Sequence, residues 1–291
     1  MTIQGRISGG DGKDGPSPGR RGAHGKDAQG SMNSLDKMLS ILDLFDDRSA
    51  VITPEDVERT TGASRSSAYR YLQSLADAGL IAQAASGSYT LGARILELDR
   101  LQRNSDQLLA AARPVMEAVS TQLGFNMILS RYHGNRVICS HTAWPDTTLT
   151  AIYERGRPLP LFFGAMAKVI LANLGPYQLR NLMLKHVDEI RSAGLGGDWK
   201  EFRTVMGRLR RQKSCVTHAE ITPESVGVAA PIFDADDRVI GSIAFAIPRA
   251  AFERLSEDGI REEAIAAAEM IMANLHRATA EDSAAPEPRN H

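Results

Sequence analysis

Leu35, Met38, Leu39, Leu42 and Phe45 recur at the three-to-four-residue spacing of one helix face, so the ordered chain opens with an amphipathic helix whose stripe needs partners. Thr53-Pro54-Glu55-Asp56 places a cap, a first-turn proline and two acids where orphan amides and the helix dipole favour them, and Gly62 ends the helix they begin. Ser64 can cap a third helix whose Ala68, Tyr71, Leu72 and Leu75 face inward, with Gly79 in the terminating position. Residues 80–83 and 88–91 read as short strands around Ser86-Gly87. Three helices backed by a hairpin make a winged helix-turn-helix over residues 31–92.

A charged helical pattern over 93–113, with Ile95, Leu98 and Leu101 along one side, predicts a linker helix, and Pro114 is expected to begin the next helix. Residues 114–279 form a separate unit. In it, 125–132 and 137–143 flank His133-Gly134-Asn135 as a hairpin, and further strands are expected at 148–152, 216–220, 226–233 and 239–246. Helical patterns fill 163–187, 199–211 and 259–279. The expected fold class is α+β, the second unit being an antiparallel sheet with helices against it, of GAF/PAS-like kind.

Composition changes this picture only at the ends. The 291 residues are 43% apolar and 24% charged, a globular balance with room for two domains. Residues 1–30 hold nine glycines, Pro16, Pro18 and five Lys/Arg with almost nothing apolar, which predicts a disordered arm. Arg20, Arg21 and Lys26 cluster there, either as part of a solvated tail or as a touch on DNA phosphates. Residues 280–291 read as a second tail. No run approaches the roughly 18 apolar residues of a membrane span, and the first thirty residues lack the apolar core of a signal peptide, so a cytoplasmic chain with no membrane partner is expected.

A net charge of −1 does not draw the whole chain to polyanions. Locally the balance differs: residues 31–103 carry eight Lys/Arg against ten Asp/Glu, yet from Arg59 to Ala76 there are three arginines and no acid. A recognition helix needs such a face among hydroxyl donors for phosphates. The residues assigned to DNA are Thr53, Ser64, Arg65, Ser66, Ser67, Tyr69 and Arg70, with Arg65 or Arg70 suited to bidentate contact with guanine and Ser67 to a phosphate. A solvated protein-interaction module is the competing reading of the same fold.

Cys139-x-His141 and Cys215-x-x-His218 are the other chemical constellation. Two thiols and two imidazoles could hold zinc, or a thiol could act as a hydrolase nucleophile beside a histidine base. The paired C-x-x-C spacing of structural zinc sites is absent, as are a nucleophile elbow, a Walker loop, a dinucleotide fingerprint and a metalloprotease helix. No enzyme activity, metal or cofactor is expected.

In combination and in order, the motifs Ala78-Gly79-Leu80-Ile81, Tyr89-Thr90-Leu91-Gly92, Gly156-Arg157-Pro158-Leu159, Ala165-Met166-Ala167-Lys168-Val169-Ile170-Leu171-Ala172, Val228-Ala229-Ala230-Pro231-Ile232 and Asp236 with Arg238-Val239-Ile240-Gly241 make the chain resemble the IclR family of bacterial transcription regulators over roughly residues 32–278. The resemblance implies a homodimer, often paired into a homotetramer, on palindromic double-stranded operator DNA. It also implies a C-terminal domain that binds a small organic acid, and more often repression than activation. By the family pattern the amides of Ala165 and Met166 would meet the acid's carboxylate with Glu220 nearby. Where acid-binding members tend to carry a cysteine and serines, this chain has Gly227, Ala244 and Ala246. With Met127, Leu129, Phe162 and Phe163 projecting into the same space, a larger pocket for an apolar or aromatic acid is expected.

Overall fold

The computed structural model describes residues 33–149 and 153–284, with side chains described as far as residue 279. The arm expected over 1–30 lies outside the described residues. The chain divides into two compact units between Leu98 and Asp99.

In the first unit, α1 (Ser34–Leu39) starts where the Asn33 side chain accepts the Asp36 N–H, and it continues as a 3-10 turn over Ser40–Leu44. That change of pitch corrects the expected stripe. Three residues per turn instead of 3.6 rotate Ile41 fully into the core, while Leu35 and Leu39 stay exposed. Helix α2 (Pro54–Thr61) opens on a reciprocal capping box between Thr53 and Asp56 and ends at Gly62 with φ +62°. Ser64 caps α3 (Arg65–Asp77) by accepting the Ser67 N–H. Strands β1 (Ile81–Gln83) and β2 (Tyr89–Leu91) pair antiparallel as the wing, and Ile52 adds an isolated bridge to Tyr89. Ala68, Tyr71, Leu72 and Leu75 of α3 pack with Ile41, Ile52, Val57, Ile81 and Tyr89 into one core.

Helix α4 (Ala93–Ser105) buries none of its residues. The single helix expected over 93–113, with a new one starting at Pro114, is not what forms. The chain breaks at Asp106, which caps α5 (Gln107–Leu123), and Pro114 lies inside that helix. Asp106 decides the break because its carboxylate accepts the Leu109 N–H at 2.9 Å and the Arg131 Nη1–H at 3.2 Å, at a site where the Asp106 side chain is 1% exposed.

Six strands form one antiparallel sheet: β3 (Asn126–His133), β4 (Arg136–Ala143), β5 (Pro158–Leu159), β6 (Cys215–His218), β7 (Ser225–Phe233) and β8 (Val239–Pro248), in the order β5-β4-β3-β8-β7-β6. The strand expected at 148–152 is not seen: residues 147–148 are turn and 149 a bend, and 150–152 lie outside the described residues. The edge strand β5 escaped periodicity because it has two residues, one of them a proline that only an edge tolerates. The helical stretch over 163–187 is interrupted by Gly175-Pro176, giving α6 (Ala165–Ala172) and α7 (Pro176–Lys185), then α8 (Val187–Ser192). Helix α9 (Trp199–Gln212) precedes β6, and the short α10 (Arg249–Phe252) leads to α11 (Glu257–Ala284). The tail expected from residue 280 is thus helical as far as Ala284, and 285–291 lie outside the described residues.

Strand parity sorts the sheet into two faces. Met127, Leu129, Val228, Ile243, Phe245 and Ile247 pack with α5 and α11. Ile128, Cys139, Cys215, Ala229, Ala244 and Ala246 face the other way, against Ala165, Met166 and Val169 of α6. Gly227, Ala229, Ala244 and Ala246 make this second face shallow, so α6 sits close enough for all eight of its residues to be buried.

The elbow at Asp106 should be a stability determinant. Asp106→Ala removes the α5 cap and strands Arg131, with an expected loss of about 2 kcal/mol in urea unfolding. A change within experimental error would show that the cap is replaceable by solvent.

Candidate functional site

The outer face of α3 carries Arg65, Ser66, Tyr69 and Arg70, all exposed, opposite the buried Ala68, Tyr71, Leu72 and Leu75. The Arg65 guanidinium sits 5.9 Å from the Tyr69 ring centroid and 3.9 Å from the Glu55 carboxylate, with its side chain 68% exposed. Arg70 makes no ion pair among the described residues and lies 5.9 Å from the Tyr71 ring. Arg59, by contrast, is held by Asp56. The hydroxyls of Ser64, Ser66 and Ser67 cluster within 3.1–3.3 Å at the helix start. Thr53 is placed differently from the others: its hydroxyl and its N–H both donate to the Asp56 carboxylate, at 2.8 and 2.9 Å, and these bonds hold Asp56 below the usual carboxylate range. Its side chain serves the cap of α2.

In the second unit, the N-terminus of α6 borders a cavity of about 30 Å³, room for one or two waters. Gly164, at φ +81°, caps the helix without a side chain, and its N–H donates to Glu220 Oε2 at 2.8 Å. The Lys168 ammonium donates to Glu220 Oε1 at 2.5 Å. Ile221 closes over Gly164 so tightly that a Cβ there would stand 3.0 Å from its Cγ1.

Of the residues expected around a ligand, Phe163, Ala165, Met166, Glu220, Gly227, Ala244 and Ala246 line this cavity. Met127, Leu129 and Phe162 do not, and that is a correction. Met127 and Leu129 point to the α5/α11 face, because strand parity gives the cavity side to Ile128 between them. Phe162 is fully buried among the helices α6 to α9, with its ring centroid 5.4 Å from that of His186. The expected enlargement is absent too, since Glu220, Ile221 and the closely seated α6 fill the space. Sequence reasoning missed Ile128, Tyr153, Thr217, Ile221 and Ser225. The alternation of β3 contained the signal for Ile128; Tyr153 had none, because it stands in an irregular segment.

The loop carrying Tyr153 also carries Arg155. Its Nε donates to Asp99 of α4 at 3.1 Å and its Nη1 to the Ser140 carbonyl at 2.7 Å.

The Cys/His constellation is not brought together. Cys139 and His141 are on β4 and Cys215 and His218 on β6, four strand steps of about 4.8 Å apart in the sheet order. Among the described residues no three His, Cys, Asp or Glu side chains are grouped as metal ligands. Burial pushes both thiols up to about 11, so neither supplies a thiolate nucleophile at neutral pH. Among the described residues no helix is long and apolar enough to cross a membrane.

Residues 102–273 match the family model of the bacterial transcriptional regulator IclR C-terminal domain, and residues 34–85 match that of the IclR helix-turn-helix domain. The HTH-type transcriptional regulator KipR of Bacillus subtilis (strain 168) is 26% identical over 220 residues, 75% of this chain and 87% of that protein. A solved IclR-type regulator from Silicibacter sp. TM1040 superposes with a TM-score of 0.70 at 24% identity, covering 84% of this chain and 95% of the other. An IclR homolog from Microbacterium hydrocarbonoxydans, solved with 4-hydroxybenzoate, gives a TM-score of 0.65 at 21% identity over 84% of this chain and all of the other.

The raised thiol pKa values carry a pH signature. A thiol at about 11 in the folded state but near 8.5–9 when unfolded contributes stability that is full below pH 8.5 and is lost as pH rises towards 11. Both cysteines should resist Ellman's reagent at pH 8 until the protein is unfolded, and Cys139→Ala/Cys215→Ala should flatten the fall in stability between pH 9 and 11. Rapid labelling of the native protein would contradict the burial.

Proposed function

Because the chain belongs to the IclR family of bacterial transcriptional regulators, we propose that it is a repressor that binds operator DNA through α3 and releases it in response to a small acid with an apolar or aromatic body. The family assignment itself makes it a transcriptional regulator with a helix-turn-helix domain and an effector-binding domain.

The observation that carries the DNA reading is the exposed face of α3. Arg65, Ser66, Tyr69 and Arg70 are spaced to line one side of a helix that is capped, backed by a core and free of acids until its last residue, Asp77. In this reading Arg65 and Arg70 reach base edges in the major groove, while Ser66 and Ser67 and the α3 N-terminus hold phosphates. A homodimer, or a tetramer built from two, would present two such helices to a palindromic site. The exposed Leu98 and Leu101 on α4, a helix with nothing buried, support pairing through that element. Reading DNA puts the site of action in the cytoplasm.

The effector reading rests on the second unit. The cavity at α6 has walls of Ile128, Phe163, Met166, Ala244 and Ala246, with the amides of the first turn of α6 at one end. Apolar walls select an apolar body and helix amides a carboxylate. Coupling has a short physical route. The loop whose Tyr153 and Leu159 wall the cavity holds α4 through Arg155 and Asp99, so a ligand that moves this loop biases the linker.

Arg65→Ala and Arg70→Ala should each lose about 1–3 kcal/mol of operator affinity by fluorescence anisotropy, roughly 5- to 150-fold, with unchanged circular dichroism. Wild-type affinity should fall steeply with salt. Unchanged affinity in both variants removes the assignment of α3. In thermal-shift titrations, benzoate and 4-hydroxybenzoate should stabilise the protein and weaken operator binding while glyoxylate does neither; stabilisation by glyoxylate alone overturns the apolar-ligand reading.

A further inference from the structure

The N-terminus of α6 already holds a carboxylate. Glu220 accepts the Gly164 N–H and the Lys168 ammonium, in a wall where the Lys168 side chain is 9% exposed and that of Glu220 26%. The pair balances a positive charge that α6 buries. An acidic ligand entering with Glu220 in place would set two carboxylates side by side among apolar walls, which strongly disfavours both. Losing Glu220 with nothing in return would leave Lys168 buried and unpaired, which is costly too. Exchange of one carboxylate for another avoids both penalties. A neutral amide of the same shape does not.

A second observation marks the same spot. Thr217 is 6% exposed and lines the cavity, and its hydroxyl enters no side-chain hydrogen bond seen among the described residues. Its Oγ1 lies 3.2 Å from where a Cβ on Gly227 would stand, and that empty position is 3.6 Å from Ala165 Cβ and 4.0 Å from Ala165 N. The Thr217 hydroxyl and a first-turn amide of α6 therefore border the space that the missing side chain of Gly227 leaves open. A hydroxyl that opens onto a narrow, mostly apolar cavity beside a helix amide is suited to an oxygen that arrives with a ligand. Glu220 has a way out: it is partly solvent-exposed and follows Ala219, whose φ of +55° starts the turn from β6 into β7. Its departure adds the volume of its own side chain to the cavity.

We propose that Glu220 is the resting occupant of the anion position at the N-terminus of α6, that a monocarboxylate with an apolar body binds by displacing it, and that Thr217 receives one of the ligand's carboxylate oxygens through its hydroxyl. This rests on the effector reading above and fixes the charge that the ligand must bring. It also reconciles a cavity of about 30 Å³ with a larger ligand, because the space opens only on exchange.

Propionate, the Glu side chain without its backbone, tests the exchange separately from any effector. In full-length Glu220→Ala, propionate should raise the melting temperature saturably, propionamide should not, and the wild type should respond to neither. Adding Thr217→Val should weaken propionate binding about tenfold, the value of one hydrogen bond to a charged group. Equal effects of propionate on wild type and variant, or no effect on either, overturn the proposal. If Glu220→Ala does not fold, Glu220→Gln keeps the shape and removes the charge. It should then bind benzoate at least about tenfold more tightly than wild type, because the resident competitor is weakened; equal or weaker binding overturns the exchange. Rescue by propionate in a protein whose wild type answers to no aromatic acid would keep the exchange and discard the aromatic-acid reading.

Discussion

The complete burial of α6 is the constraint on which the second unit depends. A helix covered on every side cannot leave its first amides or a lysine to water, so each must find a partner inside the protein. Glu220, just past the end of β6, takes the lysine and the N–H of the cap residue Gly164. The close seating of the helix is possible because Gly227, Ala229, Ala244 and Ala246 keep that face of the sheet low, while the bulky Val228, Ile243, Phe245 and Ile247 fill the opposite face against α5 and α11. One alternation of small and large residues along β7 and β8 thus sets the depth of the helix, the location of the cavity and the charge inside it.

The first unit solves a different problem. Its core is small and one-sided, and α3 spends its inner positions on that core and its outer ones on solvent. An acid-bearing helix, α2, lies beside it in sequence, yet the carboxylates of α2 are partly occupied: Asp56 by Thr53 and Arg59, Glu55 at a distance by Arg65. Arg70 stays outside these pairs. The local excess of positive charge on the outer face of α3 thereby survives in a domain whose total charge is negative.

Much of this was readable in the chain. The capping residues Thr53 and Ser64, Gly62 at the end of α2, the hairpin around His133-Gly134-Asn135 and the exposed arginines of α3 follow from local rules, because each depends on atoms within a few residues. The motif order fixed the family. Errors came where a distant partner decides. Asp106 rather than Pro114 breaks the linker because Arg131 and a buried setting stabilise that cap. Met127 and Leu129 were placed on the wrong face because parity cannot be assigned to a face until the neighbouring strands are known.

Sequence alone therefore determined the helix-turn-helix, its basic face, the longer strands of the second unit and the kinship, all of which are written in short-range spacing. Tertiary structure alone decided which side of β3 meets the cavity, that Glu220 reaches back 52 residues to Lys168, and that the Thr217 hydroxyl stands on the cavity wall beside Gly227. Those are consequences of packing, in which residues far apart in the chain compete for the same few cubic ångströms and the same charge, and no local pattern encodes the outcome of that competition.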